Sequence, residues 1–451
     1  MTKLRFYSGL REIGGTVVAV ETENTVCFFD FGFSYADRID DKVCLREKKE
    51  AFDYVNLGVL NAIDGIYEPD TAKKLGLKAY GETDKEIFFI ISHMHIDHMG
   101  GLGCLDRKVP VYMSADSAKL YHEMGIMGEL EVREHENVIP VDYDSSFTVG
   151  DIKVTCIQVD HDVIGACGFL IETNEGKICY TGDYRYHGFH PEISAAFADK
   201  CKGADVMISE GVTISFADVD MLSLEGPVRE RTEITLLEDM KNVSASEEGL
   251  IVINNYNRNV ERIHRLIGVI KDSGRVMALE PEQADYIASF YPEDEFCVYI
   301  PEATENICGE DAAKKLSDER LLTPGLNDRR IVNRSDLKAS PAKYILQQDY
   351  RHIYELFDLK DVLSLYVHMD GAPLGDYDPS YAKYCSLLDN LGIHYEHWGL
   401  GGHAEPYYLR HTVDIIEPKI LVPLHSFRPE QLVSEHAGKI ILPRPLDEIE
   451  L

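Results

Sequence analysis

Short apolar segments of strand length alternate with polar turns along the first half of the chain. Ile87–Ile91 is continuously apolar and runs directly into a polar cluster that opens at Ser92. Two other apolar segments are separated by Thr173–Gly176, a connection typical of a β-hairpin. Residues 39–86 are charged and irregular, and they predict no element. We predict strands over Ile87–Ile91 and over Thr16–Glu21, Val26–Asp30, Val109–Met113, Ile152–Val159, Cys167–Glu172, Lys177–Thr181 and Asp205–Glu210.

The pattern changes near residue 216. A predicted strand over Leu250–Ile253 is followed by a predicted helix over Asn259–Asp272, whose apolar residues fall on one face. Another predicted strand, Arg275–Leu279, comes next. This strand–helix–strand succession favours a parallel α/β unit. Further strands are predicted over Lys343–Leu346 and Leu363–His368.

From about residue 395 the earlier pattern returns. Gly399–His403 is a glycine-rich loop, and Tyr407–Ile416 predicts a helix. The predicted strand Lys419–Leu424 then ends directly at His425. The return indicates that the middle of the chain is an insertion.

Length and composition set the general class of the protein. With 451 residues, of which 45% are hydrophobic, the chain is too long for one ordinary core and favours two domains. We predict that residues 1–215 and 396–451 form one domain and that residues 216–395 form a second domain inserted into it. No window approaches the roughly 18 consecutive apolar residues of a membrane span. The first fifteen residues lack the apolar run of a secretory signal. We therefore expect no membrane association and a cytoplasmic location.

The cysteines are scattered singly, with no Cys-x-x-Cys pair. Several lie in apolar segments, which favours buried reduced thiols over disulfides or a cysteine zinc site. They are Cys27, Cys44, Cys104, Cys156, Cys167, Cys179, Cys201, Cys297, Cys308 and Cys385.

The formal net charge of −33 limits the possible partners. Proteins that hold nucleic acid through its phosphates usually carry a basic face. No run of Lys or Arg in this chain exceeds two residues. The charge argues against strong non-specific binding of nucleic acid, although a local basic groove is compatible with it.

A cluster of potential metal ligands directly follows a continuously apolar predicted strand. It consists of His93, His95, Asp97 and His98. Alternate side chains of an extended segment share a face, so His93, His95 and Asp97 can point together. His98 would follow as the chain turns. Imidazole and carboxylate groups together suit zinc or manganese.

Three more candidate ligands stand at the ends of predicted strands: His161, Asp183 and His425. Each of them alone is more often an ordinary polar residue at the end of a strand. Together with the first cluster they supply five histidines and two aspartates, enough ligands for two metal ions.

These residues, with Asp30 in the segment Phe29–Gly32, resemble the metallo-β-lactamase superfamily. The resemblance implies a four-layered αββα sandwich with its site at the edge of the sheets. It implies a first metal ion held by His93, His95 and His161. The implied ligands of the second ion are Asp97, His98 and His425. Asp183 would bridge the two ions, and Asp30 would orient the cluster from behind.

A narrower resemblance, to the β-CASP branch of that superfamily, covers nearly the whole chain. The branch contains nucleases related to ribonuclease J and to the mRNA 3′-end cleavage factors, and it inserts an α/β domain where residues 216–395 stand. Its motifs are matched by Ile208–Gly211, Tyr256–Ile263, Gly402–Ala404 and Pro423–His425. The implied architecture is a metallo-β-lactamase sandwich with an inserted α/β β-CASP domain.

Some features depart from the ribonuclease J pattern. Gly401 stands where a Ser or Thr often precedes the Gly-His-Ala motif, and Ser426 and Phe427 stand where Gly-Glu is usual. The chain also ends soon after His425, so we expect no C-terminal domain like that of ribonuclease J. These departures leave the exact substrate and the oligomeric state open, and a dimer is compatible with the resemblance.

The resemblance implies a two-metal-dependent phosphodiesterase, a ribonuclease J-like nuclease that cleaves single-stranded RNA by a metal-bound hydroxide. Zinc is favoured as the metal, and manganese is also compatible. Asp97 and Asp183 would act through the metal ions. His403 would either hydrogen-bond the transition-state oxygen or protonate the leaving group, and Glu210 would orient it. Exonuclease and endonuclease action are not distinguished by the sequence.

Two other classes of function are compatible with parts of the pattern. A small-molecule hydrolase of the same fold, acting on a thioester, a lactone or a phosphoester, fits the acidic charge. A non-catalytic scaffold is disfavoured because it has no need of a complete ligand set. Arg258 and Arg262 can either contact phosphate or pair on a helix surface, and we leave both outside the predicted site.

Overall fold

The structure is a computed structural model that describes residues 1–34, 45–229, 231–301, 330–375 and 378–451. Contacts along the chain divide it into two units. The first unit consists of Met1–Arg229 and Gly402–Leu451, and the second of Glu230–Gly401.

The first unit contains two seven-stranded sheets. Its first sheet has, in spatial order, β21 (Glu448–Glu450), β1 (Lys3–Ser8), β2 (Val17–Glu21), β3 (Thr25–Phe29), β4 (Glu86–Ile91), β5 (Val111–Ser114) and β6 (Val138–Val141). The strands β3 to β6 pair in parallel. In β4, every residue after Glu86 is buried, which explains why its sequence is apolar without alternation.

The second sheet has, in spatial order, β20 (Lys439–Ile440), β19 (Ile420–Pro423), β11 (Val206–Ser209), β10 (Lys177–Tyr180), β9 (Cys167–Glu172), β8 (Ile152–Gln158) and β7 (Ser146–Val149). The predicted hairpin is confirmed, since Lys177 of β10 pairs antiparallel with Glu172 of β9. Because β10, β11 and β19 pair in parallel, their carboxyl ends meet at one edge of the sheet.

The two sheets pack face to face over one hydrophobic core. Phe29 and Ile90 of the first sheet and Phe169 and Val422 of the second belong to it. Helices lie outside the sheets: α1 (Glu50–Leu57), α2 (Pro69–Leu75), α3 (Ile96–Met99), α4 (Ala115–Met127), α5 (Pro191–Lys200) and α12 (Pro406–Ile416). The helices α5 and α12 pack on the outer face of the second sheet, and α4 contacts β5 and β6. The expected αββα sandwich is confirmed.

The second unit is built on a third sheet. Its strands are, in spatial order, β15 (Arg330–Val332), β14 (Cys297–Tyr299), β13 (Val276–Leu279), β16 (Tyr344–Gln347), β12 (Leu250–Asn255), β17 (Leu363–Met369) and β18 (Tyr395–His397). All of these pairings are parallel, which confirms the predicted parallel α/β unit. Its described helices are α6 (Glu233–Ser246), α7 (Val260–Ile270), α8 (Pro281–Phe290), α9 (Arg334–Ala339), α10 (Leu356–Leu359) and α11 (Tyr381–Leu391).

Arg262 shows how the second unit is held together. It lies in α7 but is completely buried, so it does not pair on the helix surface, which was one of the two possibilities that the sequence left open. Its guanidinium forms ion pairs with Glu233 at the start of α6 (2.7 Å) and with Asp370 after β17 (3.1 Å). Arg262 therefore joins two helices and a strand end within the unit.

The sequence also led to expectations about the cysteines and about helices that could span a membrane. The described cysteines are all free thiols, and all of them are buried except the half-buried Cys385. Cys44 and Cys308 lie outside the described residues. Within the described ranges, the structure contains no helix that is both long and apolar enough to cross a membrane.

Candidate metal centre

All seven predicted metal ligands meet at one edge of the sandwich, where strands of both sheets end. His93 follows β4 of the first sheet. His161, Asp183 and His425 follow β8, β10 and β19 of the second sheet. The position fits the general rule that sites in α/β proteins form beyond the carboxyl ends of strands.

The first group of ligand atoms contains three imidazole nitrogens and one carboxylate oxygen. The Nδ1 atom of His95 lies 3.0 Å from Nε2 of His93 and 3.2 Å from Nε2 of His161. Oδ2 of Asp183 lies 3.7 Å from Nε2 of His93. The four atoms lie within 4.8 Å of one another.

The second group contains Asp97, His98 and His425, whose ligand atoms also lie within 4.8 Å of one another. The same oxygen of Asp183, Oδ2, lies 3.2 Å from Nε2 of His98 and 3.4 Å from Nε2 of His425. It therefore faces both groups, as a bridging carboxylate must.

Asp97 and His98 reach the cluster from a helix rather than from an extended segment. The extended backbone ends at His95, the N-cap of α3, so the predicted alternation through Asp97 is wrong. One short helical turn carries both side chains. Gly32 packs against this turn so closely that an added Cβ would lie 1.6 Å from the carbonyl oxygen of Asp97. Only glycine fits at position 32.

Asp30 lies behind the cluster and is completely buried. Its carboxylate lies 2.7 Å from Nδ1 of His98 and accepts hydrogen bonds from the backbone and hydroxyl of Ser92 (2.7 and 2.8 Å) and from the hydroxyl of Tyr180. With Nδ1 of His98 held by Asp30, Nε2 faces the second group. On the other side of that group, the backbone N–H of Gly14 donates to Nδ1 of His425 (3.1 Å).

The loop that contains His403 packs directly against His161. Nδ1 of His161 lies 2.6 Å from the carbonyl oxygen of Gly402, so this ring also turns its Nε2 toward the cluster. A Cβ on Gly402 would lie 2.3 Å from the ring of His161 and 2.6 Å from Oδ1 of Asp162. The glycine at position 402 is therefore a steric requirement of the site.

Asp162 is a member of the cluster that the sequence interpretation missed. Its Oδ1 lies 3.4 Å from Nε2 of both His95 and His161. The signal for it was its position next to His161 in Asp160-His161-Asp162. The other neighbour, Asp160, has a different role, because it accepts a hydrogen bond from Nε of Arg185 (3.0 Å).

His403 and Glu210 meet beside Asp183. Nδ1 of His403 lies 3.4 Å from Oε2 of Glu210 and 3.6 Å from Oδ2 of Asp183. The Glu210 carboxylate also accepts hydrogen bonds from the backbone N–H groups of Val212 (3.0 Å) and Ala404 (3.3 Å). Glu210 thus ties the end of β11 to the loop that carries His403.

Burial and charge oppose each other in this cluster. Burial lowers the pKa of His161 to about 3. It also lowers the pKa of His403, but the neighbouring carboxylates of Glu210 and Asp183 outweigh it and raise that pKa to about 9. Burial raises the pKa of Asp183, but His425, His98 and His403 outweigh it and hold the pKa well below its usual range. The lowered pKa of Asp183 means that the carboxylate shared by the two groups is ionised.

The arrangement fits two divalent cations. Within the described residues, Nε2 of His98, Nε2 of His425 and Oδ2 of Asp183 are buried without a hydrogen-bond partner. Leaving such a group unsatisfied costs about 1–3 kcal/mol, so orphaned atoms that converge on one point require an explanation. Imidazole nitrogens and carboxylate oxygens are the ligands that zinc and manganese accept. A divalent ion in each group would satisfy these atoms.

Comparison with known proteins agrees with this geometry. The model of the beta-lactamase superfamily domain matches residues 78–226. Ribonuclease J of Mycoplasma genitalium is 20% identical over 298 residues, which are 63% of this chain and 44% of that protein. Ribonuclease J of Helicobacter pylori (strain ATCC 700392 / 26695) is 22% identical over 434 residues, which are 94% of this chain and 56% of that protein.

A solved structure resembles the whole chain. A protein of unknown function from Enterococcus faecalis V583 superposes with a TM-score of 0.80 at 28% identity, covering 100% of both chains. By contrast, the chain spans about half the length of the curated relatives it matches. The matches confirm the resemblance that the motifs indicated.

Proposed function

We propose that this chain, whose residues 78–226 match the beta-lactamase superfamily domain, is a two-metal-dependent phosphodiesterase that cleaves single-stranded RNA. The observation that carries the proposal is Oδ2 of Asp183, which lies 3.2–3.7 Å from ligand atoms of both groups. A carboxylate shared in this way would hold two ions at the short spacing that is typical of two-metal hydrolases, about 3.5–4 Å.

The two units take separate roles in this proposal. The first unit is the metallo-β-lactamase domain and holds the metal ligands. The second unit, with its parallel sheet, is the inserted β-CASP-like domain. Zinc is the proposed metal, with manganese as the alternative, because both accept this ligand set. We further propose a cytoplasmic enzyme, in which a dimer is compatible with the resemblance.

The chain itself positions the reacting groups. Two bound divalent ions would neutralise charge on a phosphate and lower the pKa of a water molecule. His403 stands beside Asp183 on the open side of the cluster, with its side chain 24% exposed, so it can reach a substrate oxygen. In the proposal its ring donates a proton to the leaving oxygen. Glu210 fixes the loop of His403 through the N–H of Ala404.

RNA is proposed as the substrate on two grounds. Curated relatives with matching sequence over most of the chain are named ribonuclease J. The inserted unit, together with Glu210 and His403, follows the pattern of the nuclease branch rather than that of small-molecule hydrolases.

The second candidate is a hydrolase that acts on a small thioester, lactone or phosphoester. The observation in its favour is the net charge of −33, which repels a polyanion. The proposed metal centre would suit either substrate, because divalent cations can polarise a carbonyl as well as a phosphoryl group.

Cleavage of a 5′-labelled single-stranded RNA by the manganese- or zinc-loaded protein tests the proposal. We expect cleavage that depends on the metal and is lost in His95→Ala. The matched control is His122→Ala, because His122 belongs to no ligand group, is 62% exposed and pairs only with Glu134 within the described residues. In His403→Ala, we expect full metal content but a rate lower by about 10²–10⁴, the usual contribution of a general acid.

Activity on different substrates distinguishes the proposed ribonuclease from the small-molecule hydrolase. Single-stranded RNA is compared with duplex RNA and with a chromogenic ester, a thioester and a lactone. Cleavage of the single strand alone supports the nuclease, and the product ladder distinguishes exonuclease from endonuclease action. A metal-loaded protein that leaves RNA intact and hydrolyses a small ester overturns the nuclease in favour of the second candidate.

A further inference from the structure

Metal-binding histidines usually have their second ring nitrogen held by another group, which fixes the tautomer and the direction of the ring. Three histidines of the two ligand groups follow this rule with an oxygen atom at Nδ1, whereas Nδ1 of His425 accepts the N–H of Gly14 (3.1 Å). The contacts are Ser92 Oγ with His93 Nδ1 (3.0 Å), Asp30 Oδ2 with His98 Nδ1 (2.7 Å) and the Gly402 carbonyl oxygen with His161 Nδ1 (2.6 Å).

His95 is oriented the other way round. Its Nδ1 faces the first ligand group, 3.0 Å from Nε2 of His93, so its Nε2 points outward. The carboxylate oxygen Oδ1 of Asp162 lies 3.4 Å from that outward nitrogen. Asp162 thus faces Nε2 of His95 as Asp30 faces Nδ1 of His98, but across 3.4 Å rather than 2.7 Å.

Asp162 is itself confined. Its side chain is 10% exposed, and its Oδ1 is buried without a hydrogen-bond partner within the described residues. Gly402 packs against this oxygen so closely that a Cβ there would lie 2.6 Å away. Oδ1 also lies 3.4 Å from Nε2 of His161. The carboxylate is therefore held between two ligands of the same group.

We propose that Asp162 is a positioning residue of the metal centre, which accepts the Nε2–H of His95 and thereby directs the lone pair of Nδ1 to the first metal ion. The inference rests on the proposed metal centre. Asp162 also adds a negative charge beside the first group, which consists of three imidazoles and the shared Asp183. Both effects strengthen the binding of a divalent cation in the first site.

Metal affinity is the first measurement. Zinc affinity is determined for the wild type, Asp162→Asn and Asp162→Ala by competition with a chromogenic chelator. Loss of a carboxylate behind a metal-bound histidine typically lowers metal affinity about 10–100-fold. We expect a loss of that size at one of two sites in Asp162→Ala. The loss should be smaller in Asp162→Asn, since the amide oxygen still accepts the hydrogen bond.

The second measurement follows the ring proton on Nε2 of His95. In the cobalt(II)-loaded protein, NMR resonances of exchangeable ring N–H groups on the ligands are shifted by the metal and identify each ligand. We expect one of these resonances to exchange rapidly with solvent in Asp162→Ala and to be retained in Asp162→Asn. A residue that only supports the fold would not change one ring proton selectively.

The control is Asp144→Asn, an exposed aspartate paired with Lys200. Its two zinc affinities should equal those of the wild type. If Asp162→Ala does not fold, the affinity and the ring proton of Asp162→Asn decide the question.

Wild-type affinity at both sites together with unchanged ring protons in the Asp162 variants would overturn the inference and leave the metal centre intact. A wild-type protein that binds no divalent ion would overturn the proposed function as well.

Discussion

At the scale of single residues, two members of the candidate metal centre adopt a backbone conformation that is uncommon for residues other than glycine. Asp30 has a φ of 56° and His425 a φ of 54°, both in the left-handed region. Each such non-glycine residue costs on the order of 1–3 kcal/mol, which the surrounding structure must offset. Asp30 directly follows β3, and His425 lies two residues after the end of β19. The left-handed turn redirects the chain there, and the side chain is then aimed across the edge of the sheets.

Gly402→Ala tests the close packing of Gly402 against the ring of His161. The new Cβ would lie 2.3 Å from the ring of His161, which must move and lose its hydrogen bond to the Gly402 carbonyl. We expect one of the two metal ions to bind about 10–100-fold more weakly, as when other groups behind a ligand are removed. Metal analysis after dialysis against a weak chelator measures this loss.

The control for this prediction is Gly226→Ala, since a Cβ on Gly226 meets nothing within 4 Å. Its metal content should match that of the wild type. Full occupancy of both sites in Gly402→Ala would show that the loop relaxes without disturbing His161.

At the scale of elements, the strands that end at the candidate site were predictable from the sequence. The strand before His93 was predictable because its residues are buried on both faces and therefore read as a continuous apolar run. The strands before His161, Asp183 and His425 were predicted for a related reason, since they are short and their interior positions are apolar.

Other elements had no comparable signal. The helices α1 and α2 lie in the charged segment over residues 39–86, where no element was predicted, and residues 39–44 of that segment lie outside the described residues. Each of these helices is short and has one fully buried residue, so a clear apolar stripe is missing. Asp162 was missed for a different reason. Its contact with Gly402 joins residues far apart in the chain and exists only in the folded structure.

The buried ion pair of Arg262 should contribute strongly to the stability of the second unit. In Arg262→Met, Glu233 stays completely buried without its guanidinium partner. Breaking a buried ion pair in this way costs about 3–5 kcal/mol. The urea concentration at the midpoint of unfolding of the second unit should therefore fall. Circular dichroism measures this midpoint.

Arg265→Met is the matched control, because Arg265 lies on the same helix but is 37% exposed and pairs with Glu261. We expect it to lower stability by no more than about 0.5 kcal/mol. Equal effects of the two substitutions would contradict the role of Arg262 as the buried link between α6, α7 and the end of β17.

At the scale of the whole molecule, the charge balance is the feature that distinguishes this chain from a typical nucleic-acid-binding protein. It has 78 acidic and 45 basic residues. Basic proteins release counterions from RNA and lose about 10³–10⁵ in affinity between 50 and 200 mM salt. An acidic protein that acts on RNA instead works against long-range repulsion, and binding must come from the metal ions and from short-range contacts.

This balance predicts an unusual dependence on salt. The Debye length falls from about 30 Å at 0.01 M to about 10 Å at 0.1 M ionic strength, so added salt screens the repulsion but leaves contacts at the metal centre largely intact. We expect kcat/KM for single-stranded RNA to rise several-fold over this range. A chromogenic phosphodiester with a single charge should change much less, because it experiences less repulsion. A steep fall of kcat/KM for RNA with salt would instead reveal a local basic groove that outweighs the net charge, and RNA would then be held mainly through its phosphates.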